Sequence, residues 1–365
     1  MRRKYIYIFG AHSRGKTAAH YLCYLYPELK VEAYLFDNDE PNESSVNGVP
    51  VIRLGETIKL NTEYPVYIGT RGVSHSAIIE KLKCMGMKDI RPITVELDMQ
   101  LRNEYLKKYY ASVGRPFVKI DDLQVNTDVD ETECKELDAR VYVAKSIYDR
   151  SLIDAYYLQE YEKEIQVGAA LTEEKISADI ITDDVGENIS TQNKQFCELT
   201  ALYWIWKNAK EDVVGLVHYR RHFTMPKNWL QRMTDNGVDV ILPVPLYVVP
   251  NLEENYRSRH DERDLDYMFA YMRKSHYGEY EELTQFWQNG LYSPCNMLIA
   301  RKEVLDDLCE WLFTILFAVA EHGGQKDDAY LNRYPGFLSE RLISYFFDKN
   351  KEKYKVVFAD KIFLQ

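Results

Sequence analysis

The sequence predicts an α/β protein with two domains, on three observations. Apolar runs of strand length alternate with helical stretches over about the first 95 residues, and the alternation resumes near Arg140. A length of 365 residues is enough for at least two domains. A polar stretch with many acidic residues, from Asp121 to Asp138, separates the two halves. We therefore expect an accessory domain over residues 1–115, a linker over 116–139 and a larger domain over 140–365.

The first domain is predicted to be a small Rossmann-like unit, in which helices cover both faces of a parallel sheet. The predicted strands are Tyr5–Phe9, Val31–Phe36, Val49–Ile52 and Val66–Gly69, with a turn at Asn47-Gly48 before the third. The predicted helices run from about Lys16 to Tyr26 and from Ser76 to Met85. A further helix is expected after this sheet, before the linker.

The second domain is predicted to be α/β as well. Its expected strands are Arg140–Ala144, Ile165–Ala169, Val213–Val217, Val238–Leu242 and Asn296–Ala300. Its expected helices are Lys194–Asn208, Asp264–Ser275, Tyr280–Gln288, Lys302–Ala320 and Leu338–Phe347. The longest apolar run, Trp311–Ala320, is shorter than the roughly 20 residues that span a bilayer, so we expect a buried helix there.

Composition narrows the functional classes. A net charge of −11 argues against a general nucleic-acid binder and against a polybasic membrane binder. The six cysteines are scattered without a CxxC pair, which favours free thiols in a reducing compartment, and the N-terminus has no secretory pattern. We therefore expect a cytoplasmic protein. Tyrosine is more than twice as common as phenylalanine, 29 against 14, and its ring suits both sugar stacking and half-buried packing.

The loop after the first strand fits two motifs. Residues 10–17 match GxxxxGK[ST], in which backbone amides hold phosphates, Lys16 reaches the terminal phosphates and Thr17 holds Mg²⁺. The same loop fits a tight strand-to-helix turn that needs glycine, or a Rossmann-type nucleotide site with an acid after the second strand. These alternatives stay open. The candidate nucleotide-contacting residues are Gly10, Ser13, Gly15, Lys16 and Asp37.

This segment resembles the Rossmann-like N-terminal domains of sugar-modifying enzymes and sugar O-acyltransferases. The resemblance rests on Gly10-Ala11 with Gly15, on Phe36-Asp37-Asn38-Asp39 and on Gly48-Val49-Pro50-Val51. It indicates the fold more specifically than it indicates a ligand.

Three clusters in the second domain combine polar and aromatic residues. The first, Asp183–Ser190, brings carboxylates and amides to a helix that contains Glu198 among apolar neighbours, so Glu198 is either paired or faces a cleft. The second, His218-Tyr219-Arg220-Arg221, ends a strand, where α/β sheets bind ligands. Arginines there suit a diphosphate, or else pair with local carboxylates.

The third cluster joins Ser293–Glu303 to Gly336–Leu342. A glycine-led loop followed by Glu340 at a helix start suits a positioned general base, although Glu340 and Arg341 could equally cap a helix.

Together these clusters resemble a bacterial family of capsular and exopolysaccharide glycosyltransferases that was long catalogued as a domain of unknown function. The resemblance covers about residues 140–350. The matching strings are Gln166–Ala169, Gly186–Ser190, Cys197–Asn208 (CELTALYWIWKN), Gly215–Arg221 (GLVHYRR), Asn296-Met297 and Gly336–Leu342. The resemblance implies a GT-A-type nucleotide-sugar fold. Because characterised members use UDP-galactofuranose, it also implies that donor.

The resemblance further implies an inverting sugar transfer to a polysaccharide or lipid-linked glycan. Peripheral contacts with the inner membrane face or with other assembly enzymes are further candidate interactions. Glu340 is the expected base, with Asp184 as second choice, while His218, Arg220 and Arg221 would steady the diphosphate. Donor and acceptor contacts are expected from the remaining candidates, Gln166, Gly168, Asn188, Asn193 and Asn296.

Metal dependence stays open, because the Asp-x-Asp that GT-A enzymes usually carry is replaced by His218-Tyr219-Arg220-Arg221. Cationic side chains could offset the diphosphate charge in place of Mn²⁺ or Mg²⁺, and Asp183-Asp184 is a fallback metal site. The alternative function is a nucleotide-binding regulator or scaffold of polysaccharide assembly, built on GxxxxGKT. An NAD-dependent epimerase or dehydrogenase is disfavoured, because the first loop lacks the middle glycine and no Tyr-x-x-x-Lys is suitably placed.

Overall fold

The computed structural model describes residues 4–39, 41–55, 59–125 and 137–365, and it confirms the α/β class. The described chain divides into two compact units. The first contains the residues up to Phe117 together with Tyr247–Val249, and the second contains Val118–Leu246 and Pro250–Gln365.

The first unit is built on a six-stranded sheet. Its strands are β1 (Lys4–Phe9), β2 (Leu29–Phe36), β3 (Ser45–Val46), β4 (Val49–Arg53), β5 (Val66–Ile68) and β6 (Ile90–Pro92). Its helices are α1 (Ser13–Leu25), α2 (His75–Cys84) and α3 (Val95–Ser112). The spatial order is β3-β4-β2-β1-β5-β6, and β4, β2, β1, β5 and β6 are parallel. This order is that of a doubly wound sheet, whose direction of winding reverses between β1 and β5.

Close packing fixes the turn between β1 and α1. Gly10 has a φ of +111°, and a Cβ added to Gly15 would lie 1.9 Å from the carbonyl oxygen of Gly10. A Cβ on Gly69 would in turn lie 2.8 Å from the Cα of Gly15. Glycine is therefore required at these positions so that α1 can approach the ends of β1 and β5.

The second unit contains a larger mixed sheet. The strands of this sheet are β7 (Ala139–Lys145), β8 (Glu162–Gln166), β9 (Ile181–Thr182), β10 (Val213–His218), β11 (Arg221–Phe223), β12 (Val240–Pro243), β15 (Leu298–Arg301), β16 (Val356–Ala359) and β17 (Lys361–Phe363). Two short strands outside it, β13 (Leu246–Tyr247) and β14 (Leu291–Tyr292), pair with each other. The helices of the second unit are α4 (Asn193–Phe196), α5 (Leu199–Asn208), α6 (Trp229–Asp235), α7 (Leu252–Arg257), α8 (Glu262–Ser275), α9 (Tyr277–Trp287), α10 (Lys302–Gly323) and α11 (Tyr334–Lys349).

The main sheet has the order β16-β12-β15-β10-β7-β8-β9. The strands β10, β7, β8 and β9 are mutually parallel, and β15 runs antiparallel to both of its neighbours. The central strand β10 is apolar until His218 because both faces of the sheet are covered there. Gly215 is its one small residue, and a Cβ there would meet the Ile299 side chain at 2.8 Å.

Two predicted elements differ from the structure. The expected helix Lys194–Asn208 is interrupted at Cys197, which has a φ of +50°, so that α4 and α5 are separate. The side-chain amide of Asn193 donates to the Cys197 carbonyl at 2.8 Å and to Thr200 Oγ1 at 3.0 Å, which stabilises the break. The glycine-led loop expected before Glu340 is also absent, because Gly336 lies in the first turn of α11.

Part of the expected linker packs into the second unit. Ile120 is fully buried, Lys119 forms an ion pair with Asp360 at 2.5 Å, and the Arg232 guanidinium donates to the carbonyls of Asp121 and Leu123 at 2.7 and 2.6 Å. Residues 126–136 of that linker, including Cys134, lie outside the described residues. None of the helices in the described chain is long and apolar enough to cross a membrane.

Candidate active site

The sheet of the second unit brings the predicted site residues to one edge. Because β10 is parallel to β7 and β8, the segments that follow these three strands emerge at the same edge. Because β15 is antiparallel to β10, the segment that precedes β15 meets them there. As a result, Nε2 of His218 lies 2.5 Å from the carbonyl oxygen of Cys295.

The backbone at this edge is held in unusual conformations. Cys295 and Asn296 have φ values of +81° and +51°, and Cys197 has +50°. Among the described residues other than glycine, Asn47 is the one further case, and it lies in the predicted Asn-Gly turn. Such conformations cost free energy in residues that have a Cβ, and they concentrate at functional sites.

Glu340 faces this backbone turn from the second turn of α11. Its Oε1 accepts the Cys295 N–H at 2.7 Å, and its Oε2 lies 3.3 Å from Nη1 of Arg341. The side chain retains 20% exposure. Burial raises the pKa of Glu340, the charge of Arg341 and the Cys295 N–H oppose the rise, and the neighbouring carboxylate of Glu198 adds to it. The predicted base is therefore a partly exposed carboxylate with increased proton affinity.

Glu198 is a second carboxylate of the same cluster, at the start of α5. Its Oε1 accepts a hydrogen bond from Nδ2 of Asn296 at 2.8 Å. Burial opposes ionisation of Glu198, but the proximity of His218 and the hydrogen bond from Asn296 outweigh burial and lower its pKa. The two glutamates therefore differ in proton affinity although they flank one backbone turn.

The amide of Asn296 is engaged within the protein. Its Nδ2 also donates to the Gly336 carbonyl at 3.1 Å, and its Oδ1 accepts from the Ser339 hydroxyl at 2.6 Å. Asn296 therefore joins Glu198 to the first turns of α11, which also contain Glu340.

Cationic groups surround the two carboxylates. Arg333 donates to the Cys197 sulfur at 3.1 Å and lies close enough to lower the pKa of Glu198. The charge of Arg221 acts on His218 and on Glu340. Burial lowers the pKa of His218, and the charge of Glu198 opposes this. Arg333 and Arg221 therefore supply fixed positive charge beside the two carboxylates.

Arg220 points to a different part of the same edge. Its guanidinium lies 5.2 Å from the ring centre of Tyr219, its charge acts on Asp149, and its buried Nε has no hydrogen-bond partner among the described residues. Asp149 and Tyr219 line a cavity of about 380 Å³ at the ends of β7 and β8, which Lys145 and Arg150 also line.

The wall of this cavity is anchored by a buried pair. The ring of His222 is fully buried, and its Nδ1 lies 2.9 Å from Oε1 of Glu162. The ring of Tyr156 packs against His222 with centroids 3.9 Å apart, and its hydroxyl donates to Glu162. The cavity is thus lined by aromatic rings and charged groups, and the buried contact between His222 and Glu162 holds part of this lining in place.

Four of the predicted contact residues stabilise the loops of this edge. Gln166 donates from Nε2 to the Glu174 carbonyl and accepts the Ile176 N–H at Oε1. Asn188 donates to the carbonyls of Asp184 and Gly186. Gly168 has a φ of +68°, and a Cβ there would lie 2.7 Å from Oδ1 of Asn193. These side chains shape the edge through contacts within the protein.

The two carboxylates of the fallback metal pair lie in different environments. Asp183 is fully buried, and its carboxylate accepts hydrogen bonds from two backbone amides and two hydroxyls, those of Gly168, Ala169, Ser190 and Thr200. These four hydrogen bonds engage the carboxylate oxygens that a metal ion would need as ligands. Asp184 is exposed on the loop that follows β9. In the part of the chain that the structure describes, no group of three or more His, Cys, Asp or Glu residues could hold a metal ion.

The first loop of the chain has its polar groups engaged within the first unit. The helix α1 already begins at Ser13, so the amide of Lys16 donates to the His12 carbonyl at 3.0 Å as part of the helix. Nζ of Lys16 lies 3.3 Å from Glu43, and the Thr17 hydroxyl donates to the Tyr247 carbonyl at 3.1 Å. Asp37 pairs with Lys81 at 3.0 Å. The geometry is that of a close strand-to-helix turn.

Sequence reasoning missed several members of the cluster. Glu198 gave a signal, a carboxylate among apolar helical residues, but it was not assigned a role. Cys295 stood inside the third cluster without a role of its own, and Arg333 gave no signal, since it stands in no motif with a known chemical role. Their contribution depends on contacts between segments that are distant in sequence.

Comparisons with known proteins cover the part of the chain that contains this cluster. The family model described as "Domain of unknown function (DUF4422)" matches residues 153–351, which include the whole cluster. The solved structure titled "WbbM bifunctional glycosyltransferase apo structure" is similar with a TM-score of 0.54 and 25% sequence identity. The similarity covers 62% of this chain and 45% of that one, so the chain spans less than half of that protein. No curated protein matches the chain.

Proposed function

The chain belongs to the DUF4422 family, and from this premise we propose that it is a glycosyltransferase that uses a nucleoside diphosphate sugar. The similarity to a bifunctional glycosyltransferase supports the reaction class. The proposed donor is UDP-galactofuranose, and the proposed acceptor is a growing polysaccharide or a lipid-linked glycan. A lipid-linked acceptor would bring the protein to the cytoplasmic face of a membrane.

One observation carries the proposal: two carboxylates and several arginines share a sheet edge with a cavity. The cavity beside Asp149 and Tyr219 offers aromatic faces and hydrogen-bonding groups, which suit a nucleoside. Arg220 faces that side of the edge, and Arg221 faces the carboxylates. A diphosphate between the two guanidinium groups would place the sugar over the carboxylates.

The proposed reaction is a single displacement. Glu340 removes the proton of the acceptor hydroxyl as that oxygen bonds to the anomeric carbon of the sugar, and the bond to the diphosphate oxygen breaks with inversion. The diphosphate leaves with its electron pair, and Arg220 and Arg221 offset the negative charge that it gains. Asp184, exposed on its loop, is the second candidate for the base.

We further propose that the reaction needs no bound divalent metal, because Arg220 and Arg221 could offset the charge of the diphosphate in place of one. The contacts of Asp183 with four hydrogen-bond donors support this.

The alternative function, a nucleotide-binding regulator built on the first loop, has less support. A magnesium-nucleotide loop needs the Thr17 hydroxyl for the metal and Lys16 for the phosphates, and both groups have partners within the first unit. Among the residues of this unit that the structure describes, none makes a contact that favours nucleotide hydrolysis.

A donor screen tests the proposal. The full chain is incubated with an oligosaccharide acceptor and each of several UDP-sugars, and the release of UDP is measured with and without EDTA. We expect the highest release with UDP-galactofuranose and no effect of EDTA. Higher release with another UDP-sugar would contradict the donor, and loss of release with EDTA would contradict metal independence. Absence of release with every donor would contradict the function.

A further inference from the structure

We propose that Glu198 is a second functional carboxylate of this site, whose negative charge stabilises the positive charge that develops on the transferred sugar. The proposal rests on the proposed function and assigns a role to a residue that the displacement step described above does not use. It also assigns different tasks to the two glutamates of the cluster, proton transfer to Glu340 and charge stabilisation to Glu198.

The first argument is the position of Glu198. The residue stands directly after the break at Cys197 and before α5, so its side chain is not on the buried face of a continuous helix. Its carboxylate meets Asn296 at the edge of the sheet, where His218 and Cys295 also meet. The left-handed backbone conformations therefore occur at Cys197, the neighbour of Glu198 in the chain, and at Asn296, whose side chain bonds to its carboxylate.

The second argument is that the two carboxylates are joined by one short segment. The Cys295 N–H bonds to Glu340, and the side chain of the next residue, Asn296, bonds to Glu198. Ser339, the neighbour of Glu340 on α11, closes the connection through its hydroxyl to Asn296. This arrangement fixes both carboxylates relative to each other, as a site that acts on one sugar carbon requires.

The third argument is that the environment separates their protonation. The charge near Glu198 and its amide contact lower the pKa of Glu198, whereas burial raises the pKa of Glu340. Two titratable groups that are driven apart in this way are suited to different tasks, one as a proton acceptor and one as a fixed charge. The charge of Glu198 also raises the pKa of Glu340, so the first group increases the basicity of the second.

The proposed step balances without further components. The acceptor hydroxyl loses its proton to Glu340, the new glycosidic bond forms, and the diphosphate leaves with the electron pair of the old bond. Glu198 neither gains nor loses a proton and forms no covalent bond. Its charge opposes the positive charge that the sugar carbon and ring oxygen share as the old bond breaks.

Glu198→Gln in the full chain tests the proposal, with Glu310→Gln on the exposed side of α10 as the matched control. We expect kcat to fall by about 100-fold in Glu198→Gln, as removal of one preorganised charge-stabilising group typically does. The affinity for UDP, measured by calorimetry, should stay within about twofold of that of the unchanged protein, because this charge faces the sugar. The control should leave both quantities unchanged.

The pH profile separates this role from a purely structural one. Removal of the Glu198 charge should move the acid limb of the kcat/KM profile to lower pH, because the pKa of Glu340 is no longer raised by that charge. Glu198→Asp, which keeps the charge, should recover part of the rate. A rate within threefold of the unchanged protein, or an unmoved acid limb, would overturn the proposal, as would loss of UDP binding together with the rate.

A measurement without any substrate keeps the proposal testable if the proposed function fails. Carbon-13 NMR titration of glutamate carboxyls, with Glu340→Gln for assignment, reports the pKa of Glu340 in the free protein. Its pKa should be lower in Glu198→Gln than in the unchanged protein. An unchanged pKa would contradict the coupling of the two carboxylates whether or not UDP-sugars are substrates, whereas failure of every donor with the coupling intact would contradict only the reaction.

Discussion

Replacement of Asp183 by asparagine is predicted to destabilise the second unit strongly, because this carboxylate connects three separate segments. One oxygen accepts from the Gly168 amide at 2.9 Å and from the Thr200 hydroxyl at 2.6 Å. The other accepts from the Ala169 amide at 3.0 Å and from the Ser190 hydroxyl. Asparagine keeps the volume, but in either orientation its NH₂ group faces one backbone N–H and one hydroxyl.

The size of the effect follows from these contacts. A hydroxyl can rotate and accept from the new NH₂ group, but a backbone amide cannot, so one buried N–H is left opposite another donor. An unsatisfied buried donor costs about 1–3 kcal/mol, and each hydrogen bond to a charged group is worth about 1.5–3 kcal/mol. We therefore expect a loss of about 3–5 kcal/mol in the free energy of unfolding, a large part of a typical total of about 5–15 kcal/mol.

Thermal and urea unfolding measure this prediction directly. At about 2–4 °C per kcal/mol for a unit of this size, the midpoint of the transition should fall by about 10 °C. Asp184→Asn is the matched control, because Asp184 is exposed, and it should change stability by no more than about 0.5 kcal/mol. A loss below about 1 kcal/mol in Asp183→Asn would show that these four hydrogen bonds do not organise the edge of the sheet.

Three further predictions concern the other parts of the molecule. Burial raises the pKa of Glu340, so the folded protein favours the protonated carboxyl. The stability that this protonated form contributes is lost as the pH rises through the raised pKa. Glutamine resembles the protonated carboxyl at every pH, so Glu340→Gln should unfold at a higher temperature than the unchanged protein at pH 8. The difference should vanish near pH 4, below the ordinary glutamate pKa of about 4.3, and a constant difference across the pH range would contradict the shift. Gly15→Ala should lower the free energy of unfolding of the first unit by about 3 kcal/mol or more, because its Cβ would lie 1.9 Å from a main-chain oxygen. Gly72→Ala, which has open space around its Cβ position, should be nearly neutral. Equal effects of the two substitutions in urea unfolding would refute the packing argument. Arg220→Gln should weaken UDP binding by about 10-fold or more in calorimetry, because a charged hydrogen bond to the diphosphate is lost. An unchanged affinity would show that Arg220 does not contact the diphosphate.

The sequence allowed the elements of this edge to be predicted, but not the breaks between them. The apolar run of β10 and the charged residues after it predicted a ligand-binding strand end, because that pattern is local. The break at Cys197 was missed because residues 194–208 have helical periodicity throughout. The left-handed backbone there is stabilised by the Asn193 side chain and by packing against other segments, which periodicity does not report.

The candidate site was predictable in part for the same reason. Glu340 and Arg221 stand in recognisable strings, and the structure places both in one cluster. Asn296 was expected to hold a sugar, but its three hydrogen bonds lie within the protein. Whether an amide faces a ligand or a neighbouring carboxylate depends on contacts across about 100 positions of sequence, as between Asn296 and Glu198, and no local pattern reports such a contact.

The most direct test of the account is acceptor-dependent UDP release by the unchanged protein and by Glu340→Gln, measured side by side with UDP-galactofuranose. The account predicts release that requires the acceptor in the unchanged protein. In the variant, release should be at least about 100-fold slower, since proton transfer by a positioned base contributes that much, while UDP binding is retained. Equal release by the two proteins, or none by either, would contradict the claim that this cluster transfers a sugar.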